Sequence, residues 1–221
     1  MTTTQTAVPA PTGPTPTQLD PRLAALVRLK LEVSVTHLHE EGIRRCVREA
    51  LDAGATSEEI LQVIQLSTVI GVHAMAKGVP ILQDILDGEG HPPVHAQAHA
   101  PTPVTDGLQR RGAFNPAWRS IAQVAPDWLE AFLATSLPIW RDGPLPPAWI
   151  ELLCVAGDAS ITHRYDAGTA RHIRAALELG VDSEVIVAVL QIVADQASEA
   201  LSSGRAILAE QLTEYTEGNK S

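Results

Sequence analysis

The chain has 221 residues, a formal net charge of −10 and a pI of about 5.2, and no Lys/Arg cluster interleaves with aromatics. Nucleic acid and anionic membrane surfaces are therefore excluded as partners. Apolar residues make up 45% and aromatics only 4%, which favours helices over a β-sandwich, and no run approaches the ~18 apolar residues of a membrane span.

In chain order, residues 1–18 are rich in Thr and Pro and lack both a basic start and an apolar stretch. They are expected to be a disordered tail rather than a secretory signal. A first helical unit is expected over 19–87. Its apolar run at 23–35 has helical length, and a second helix at 42–53 ends at Gly54, where a C′ glycine belongs. Thr56-Ser57-Glu58-Glu59 then offers a capping box, and Ile60, Val63, Ile64, Ser67, Ile70 and Ala74 recur at helical spacing. A last helix runs over 80–86. Residues 88–112 read as a His/Pro-rich linker. His91, His95 and His99 recur every four residues there, but Pro92, Pro93 and Pro101 oppose the helix that would stack them as metal ligands.

A second unit is expected over 113–214, with two extra helices at 116–124 and 126–140. Pro146-Pro147 leads into a helix at 148–161, and another spans 168–179 up to Gly180. Asp182 opens a further helix with Ile186, Val189, Leu190 and Val193 on its inner face, and 206–212 closes the unit before a tail at 215–221. Two cysteines, Cys46 and Cys154, are too few for a disulfide framework and too distant for a Cys-X-X-Cys pair, so a cytoplasmic location is expected.

One register links the two units. Thr36-His37 and Thr162-His163 stand 126 positions apart, and the same offset relates Gly42 to Gly168, Arg45 to Arg171, Gly54 to Gly180 and Gln65 to Gln191. Roughly a third of about fifty ungapped positions are identical, which marks a tandem duplication. Both copies read Thr-His-x4-Gly-x3-[Cys/His]-x-Arg-x-Ala-Leu-x2-Gly. This puts His163 in a turn and His172 on the next helix, one turn after Gly168, which opens space beside it. Glu151 lies on the preceding helix. Antiparallel packing would bring a carboxylate and two imidazoles together. Glu32 and Asp158 are equivalent acids just ahead of the motif, while His73 reads as a core or interface residue.

Trp149-Ile150-Glu151-Leu152, the His163 turn and the segment 171–180 resemble the carboxymuconolactone decarboxylase family, which includes the alkyl hydroperoxide reductase D-type proteins. The resemblance implies an all-α fold, here in tandem. It matches the family's histidine to His172 and its glutamate to Glu151. Gly168 stands at the family's second cysteine position, and copy one has Cys46 for the histidine and Ala25 for the glutamate. Without vicinal thiols, peroxidase cycling has no resolving partner. The decarboxylase branch implies a cofactor-independent lyase acting on a small carboxylated lactone or ring-derived acid. In that reading His163, His172 and His37 are general acid/base candidates, Glu151 orients a ring, and Arg171, Tyr165 and His39 contact substrate. The resemblance also implies a homo-oligomer, a trimer of two-repeat chains. Two alternatives stand beside it: a metal-assisted lyase or isomerase with His37, His39, His163 and His172 as ligands, and a non-catalytic binding or assembly module.

Overall fold

The computed structural model describes residues 19–218, and no strand occurs among them. Asp20 caps the first helix: its Oδ1 accepts the Arg22 N–H at 2.8 Å, and Pro21 occupies the first helical position, where no amide donor is needed. Helices α1 (Pro21–Glu32), α2 (Glu40–Asp52) and α3 (Ser57–Val69) form the first unit. Gly54, at φ +88°, ends α2, and the Thr56/Glu59 capping box opens α3 with reciprocal bonds of 3.2 and 2.9 Å. Helix α4 (Val72–Glu89) follows, then α5 (Pro103–Arg110), a 3-10 turn at Pro116–Trp118, α6 (Arg119–Val124) and α7 (Pro126–Arg141). The second unit comprises α8 (Pro147–Ala159), α9 (Asp166–Glu178) and α10 (Ser183–Gly218).

Helices α8, α9 and α10 begin 126 residues after α1, α2 and α3 respectively. The Thr-His turns also correspond. Leu38 and Arg164 both take positive φ, 43° and 51°, and the His37 and His163 amides donate to the Ser34 and Ser160 carbonyls. The two turns meet through a 2.7 Å hydrogen bond between the Thr36 and Thr162 hydroxyls.

The main core forms where α1 and α8 cross. Helix α1 packs on α2, α3, α8 and α10, while α8 packs on α9, α10 and α3. Leu26, Leu29, Leu153 and Val155 are fully buried there. Each such side chain contributes about 1.5–3 kcal/mol of transfer free energy. A second cluster of Val72, Leu108, Ile121, Leu129 and Leu133 joins α4, α5, α6 and α7. The candidate site lies between the two clusters.

Three expectations need correction. The helix after Thr56 stops at Ile70–Gly71, so α4 starts at Val72 and carries Pro80 in its interior. Helix α10 runs unbroken through Gly204, so 206–212 is no separate helix. The linker contains α5, whose N-terminal amides at Val104 and Thr105 donate to the Glu130 carboxylate at 2.8 and 2.9 Å. That cap comes from α7 and leaves no local trace in the sequence. His91, His95 and His99 lie outside any helix, and His99 pairs with Asp127 at 2.6 Å. The tail at 1–18 and residues 219–221 lie outside the described residues.

Two helical stretches, Ser57–Glu89 and Ser183–Thr216, are apolar enough by composition to cross a membrane, which the residue-by-residue reading did not anticipate. Half of the first stretch's most apolar window is buried in the protein, as in a packed core helix, against 22% of the second's. The outer half of α10 leaves Leu201, Ile207, Leu208, Leu212 and Tyr215 exposed.

Candidate functional site

A cavity of about 380 Å³ opens between the two clusters. Trp118, Phe132 and Trp140 line its apolar side, and Lys30, Glu151, Asp158, Arg171 and His172 line its polar side. Helical spacing explains the polar set. Glu151, Cys154 and Asp158 stand at i, i+3 and i+7 on α8, and Gly168 and His172 are four apart on α9, its antiparallel partner.

Glu151 and His172 meet as the sequence suggests, with Nδ1 of His172 2.6 Å from Oε2 of Glu151. On the opposite edge of the ring, Nε2 lies 2.6 Å from the Arg171 guanidinium. Arginine only donates, so Nε2 accepts, and Nδ1–H donates to the glutamate. His172 is thus the neutral Nδ1–H tautomer. Burial depresses its pKa, and Arg171 acts the same way against the Glu151 hydrogen bond. The Trp140 ring lies parallel to the imidazole, tilted 12° at 6.1 Å between centroids.

His163 does not join that pair. Its Nε2 lies 2.8 Å from Nδ1 of His73, on the first turn of α4. Both rings face the Asp158 carboxylate, at 3.6 Å from His73 and 3.9 Å from His163. Asp158 also stands 3.7 Å from Nε2 of His172, so the acid that gathers the rings is Asp158 more than Glu151. Tyr165, 8% exposed, stacks on His73 with centroids 3.9 Å apart. Burial pushes the Asp158 carboxyl up to about 7 while Lys30 and Arg171 pull the other way. His73 is pushed down to about 3, by burial first and then by His163 and the nearby cations.

Gly168 does not make room for His172. A Cβ there would land on Oδ2 of Asp158 and on the Tyr165 ring. Gly42 relates in the same way to Glu32 and His39. In both copies the motif glycine admits a buried carboxylate from the preceding helix.

Lys30, 1% exposed, enters the cavity from α1 and passes over Gly157, whose missing Cβ would sit 3.1 Å from Cε. Its Nζ donates to the Ser67 hydroxyl at 3.2 Å and lies 3.4 Å from the Leu66 carbonyl. Burial lowers its pKa.

His37 and His39 lie elsewhere. They converge on the copy-one acid Glu32, at 3.4 and 3.0 Å, and Arg45 reaches the same carboxylate at 3.4 Å and Glu199 at 3.2 Å. His37, His39, His163 and His172 are therefore not assembled around one point, which removes the four-histidine metal set. Cys46 and Cys154 are buried, and burial pushes Cys46 up to about 11 and Cys154 further still.

Sequence reasoning missed Lys30 and undervalued His73. Both come from the copy-one half, and Lys30 aligns with Ala156, so the repeat register carries no sign of it. The one available signal was a lysine inside the apolar run Leu23–Leu31, where an unpaired charge is costly.

The sequence profile described as the carboxymuconolactone decarboxylase family matches residues 126–210, from α7 into α10. The crystal structure of a Burkholderia xenovorans LB400 protein, provisionally assigned as a gamma-carboxymuconolactone decarboxylase subunit, superposes with a TM-score of 0.79 at 32% identity. The match covers 90% of this chain and 80% of that one. No curated protein matches the chain. With that identity sustained over most of both chains, and with the family profile matching from α7 into α10, this chain belongs to the carboxymuconolactone decarboxylase family.

Proposed function

We propose that the chain is a decarboxylase of a small carboxylated lactone or ring-derived acid, with the Glu151–His172–Arg171 chain as its proton-handling unit. The observation that carries this reading is that all three side chains line one 380 Å³ cavity and bond in series at 2.6 Å each. Loss of CO2 leaves an electron pair that spreads into the lactone as a dienolate, and the reaction ends when a carbon of that dienolate takes a proton. The protein must therefore hold an anion and then deliver a proton.

Arg171 answers the first need. A substrate carboxylate is a better acceptor for the guanidinium than a neutral imidazole. Pairing with substrate draws Arg171 off Nε2 of His172 and frees that lone pair. The incoming negative charge then favours uptake of a proton from solvent at Nε2, and Glu151 stabilises the resulting imidazolium through Nδ1. The protonated ring is the donor to the dienolate. Lys30 adds positive charge to the same wall, against a chain whose formal charge is −10. Trp118, Phe132 and Trp140 offer faces for a flat conjugated ring and exclude water from the developing charge.

The test is CO2 release from γ-carboxymuconolactone and a panel of related lactone acids. The wild-type chain should release CO2 from at least one. His172→Gln, with an unchanged circular dichroism spectrum, should abolish it. Full turnover in that variant, or no release from the whole panel, would remove the assignment.

A further inference from the structure

We propose that His73, Asp158 and His163 form a binding site for one divalent transition-metal ion, of the Zn2+ or Fe2+ class. Nδ1 of His73, Nε2 of His163 and Oδ1 of Asp158 are separated by 2.8, 3.6 and 3.9 Å. Ligands held about 2.0–2.1 Å from a tetrahedral ion stand roughly 3.3 Å apart. The three observed separations straddle that edge, so side-chain shifts below about 1 Å bring all three atoms onto one ion. Two imidazoles and one carboxylate are the donor set of many three-ligand catalytic zinc sites and of non-haem Fe2+ sites, and they disfavour Mg2+ and Ca2+, which take oxygen shells.

A second observation is independent of those distances. Asp158 is only 2% exposed, and its Oδ2 is a buried oxygen with no hydrogen-bond partner among the protein's own groups. Oδ2 is turned toward Gly168 and His172, and Oδ1 toward the two rings. A buried carboxylate is ordinarily paired or bound to a metal, so an ion on Oδ1 compensates the charge this one buries. The ligands are also held in place. The Tyr165 ring stacked at 3.9 Å fixes the plane of His73. The turn that carries His163 is set by Arg164 in a left-handed conformation and by the Tyr165 amide bonded to the Asp158 carbonyl at 2.8 Å. Side-chain exposures of 13% and 15% leave both rings close enough to solvent for an ion to enter.

Three protein ligands leave a coordination position unfilled, and His73 and Asp158 both line the main cavity. That position faces whatever occupies the cavity and would take a carboxylate or enolate oxygen. Lys30, Arg171 and Glu151 also face this space. The two cations there select against a weakly held hard ion and for one bound through imidazole lone pairs. The copy-one cluster of Glu32, His37 and His39 also brings three donors together. It differs in two ways: its rings are 37% and 44% exposed, and Arg45 already neutralises its carboxylate.

The experiment uses the full chain, stripped with a chelator and titrated with Co2+, whose visible d–d absorption reports low-symmetry coordination. We expect one saturating Co2+ per chain, with the signal displaced by Zn2+ and untouched by Mg2+. His163→Gln and His73→Gln should each weaken binding by more than the roughly 10- to 100-fold that loss of an outer-shell partner costs. The double change His37→Gln/His39→Gln should leave it intact. No saturable absorption in the wild-type chain overturns the site, as does absorption that survives both single variants or that follows His37 and His39. Because the readout is coordination rather than CO2 release, it stands or falls separately from the decarboxylase reading.

Discussion

Glu32 and Asp158 stand 126 residues apart at corresponding places in the two helical units, each buried and each approached by a motif glycine that leaves room for nothing larger. Their surroundings have diverged. Glu32 is surrounded by His37, His39 and Arg45, and the cavity beside it holds about 80 Å³. Asp158 keeps one oxygen without a hydrogen bond and borders about 380 Å³. At the histidine position copy one has Cys46, and at the glutamate position it has Ala25. The comparison separates what the fold needs from what chemistry needs. Both copies retain the buried acid under glycine, so the close approach of acid and glycine belongs to the fold, and what distinguishes the copies is what surrounds the acid. Only copy two combines the acid with Glu151, His172 and open space.

The largest effect expected from this contrast is on turnover. His172→Gln removes the proposed proton donor of copy two and should lower CO2 release by about 10²- to 10⁴-fold, the usual worth of a positioned acid/base. The equivalent change in copy one, Cys46→Ala, should leave turnover unchanged. Equal losses in the two variants would mean that the copies are not divided as described.

Next come the glycines. Gly168→Ala and Gly42→Ala each drive a methyl into a carboxylate, and overpacking of this kind costs about 1–3 kcal/mol. The better helix propensity of alanine offsets about 1 kcal/mol of that. Both variants should therefore melt at lower temperature. Only Gly168→Ala should also lose activity, because it displaces Asp158 and Tyr165 inside the cavity. Activity retained in Gly168→Ala at wild-type level would remove Asp158 from the site.

These two comparisons also show what the residues disclosed before any coordinates. Glycine stops at Gly54 and Gly180, the Thr56 box and the 126-residue register are local signals, and each appears in the fold where the sequence puts it. The Glu151–His172 contact was readable because both residues lie within one helix pair. Lys30, His73 and the Glu130 cap on α5 were not, since each acts across elements far apart in sequence. Helix periodicity says which face a residue is on; which neighbour meets that face depends on how the two units dock.

A further asymmetry lies in what covers the helices after α3 and its equivalent. Helix α4 is roofed by α6, and its first turn supplies His73 to the cavity. The matching part of α10 supplies Glu199, which holds Arg45, and beyond it carries exposed Leu201, Ile207, Leu208 and Leu212. We propose that a neighbouring copy of the chain supplies the missing roof, in a homo-oligomer of three chains. Light scattering should give three times the 23.6 kDa chain mass, and Leu208→Asp should shift the mass downward. A monomeric wild-type chain would overturn this assembly.

The smallest effect concerns the thiols, and it tests the expectation that neither copy cycles as a thiol peroxidase. Cys46 sits at the place of the copy-two histidine, yet burial, reinforced by Glu49 and Glu32, raises it from 9.0 to about 11. A folded-state pKa above the unfolded one stabilises the fold fully below about pH 9, and that contribution fades as pH rises through about 11. Near neutral pH both cysteines are protonated and enclosed, so a thiol reagent should label them only as fast as the helices open. Denaturant should make both react at the rate of a free thiol. The sign of the pH effect sharpens the test: in the native protein the Cys46 labelling rate should still be climbing above pH 9, where an exposed thiol levels off. A Cys46 that labels rapidly at pH 7 would mean a reactive thiolate in copy one, and the division of labour between the copies would have to be redrawn.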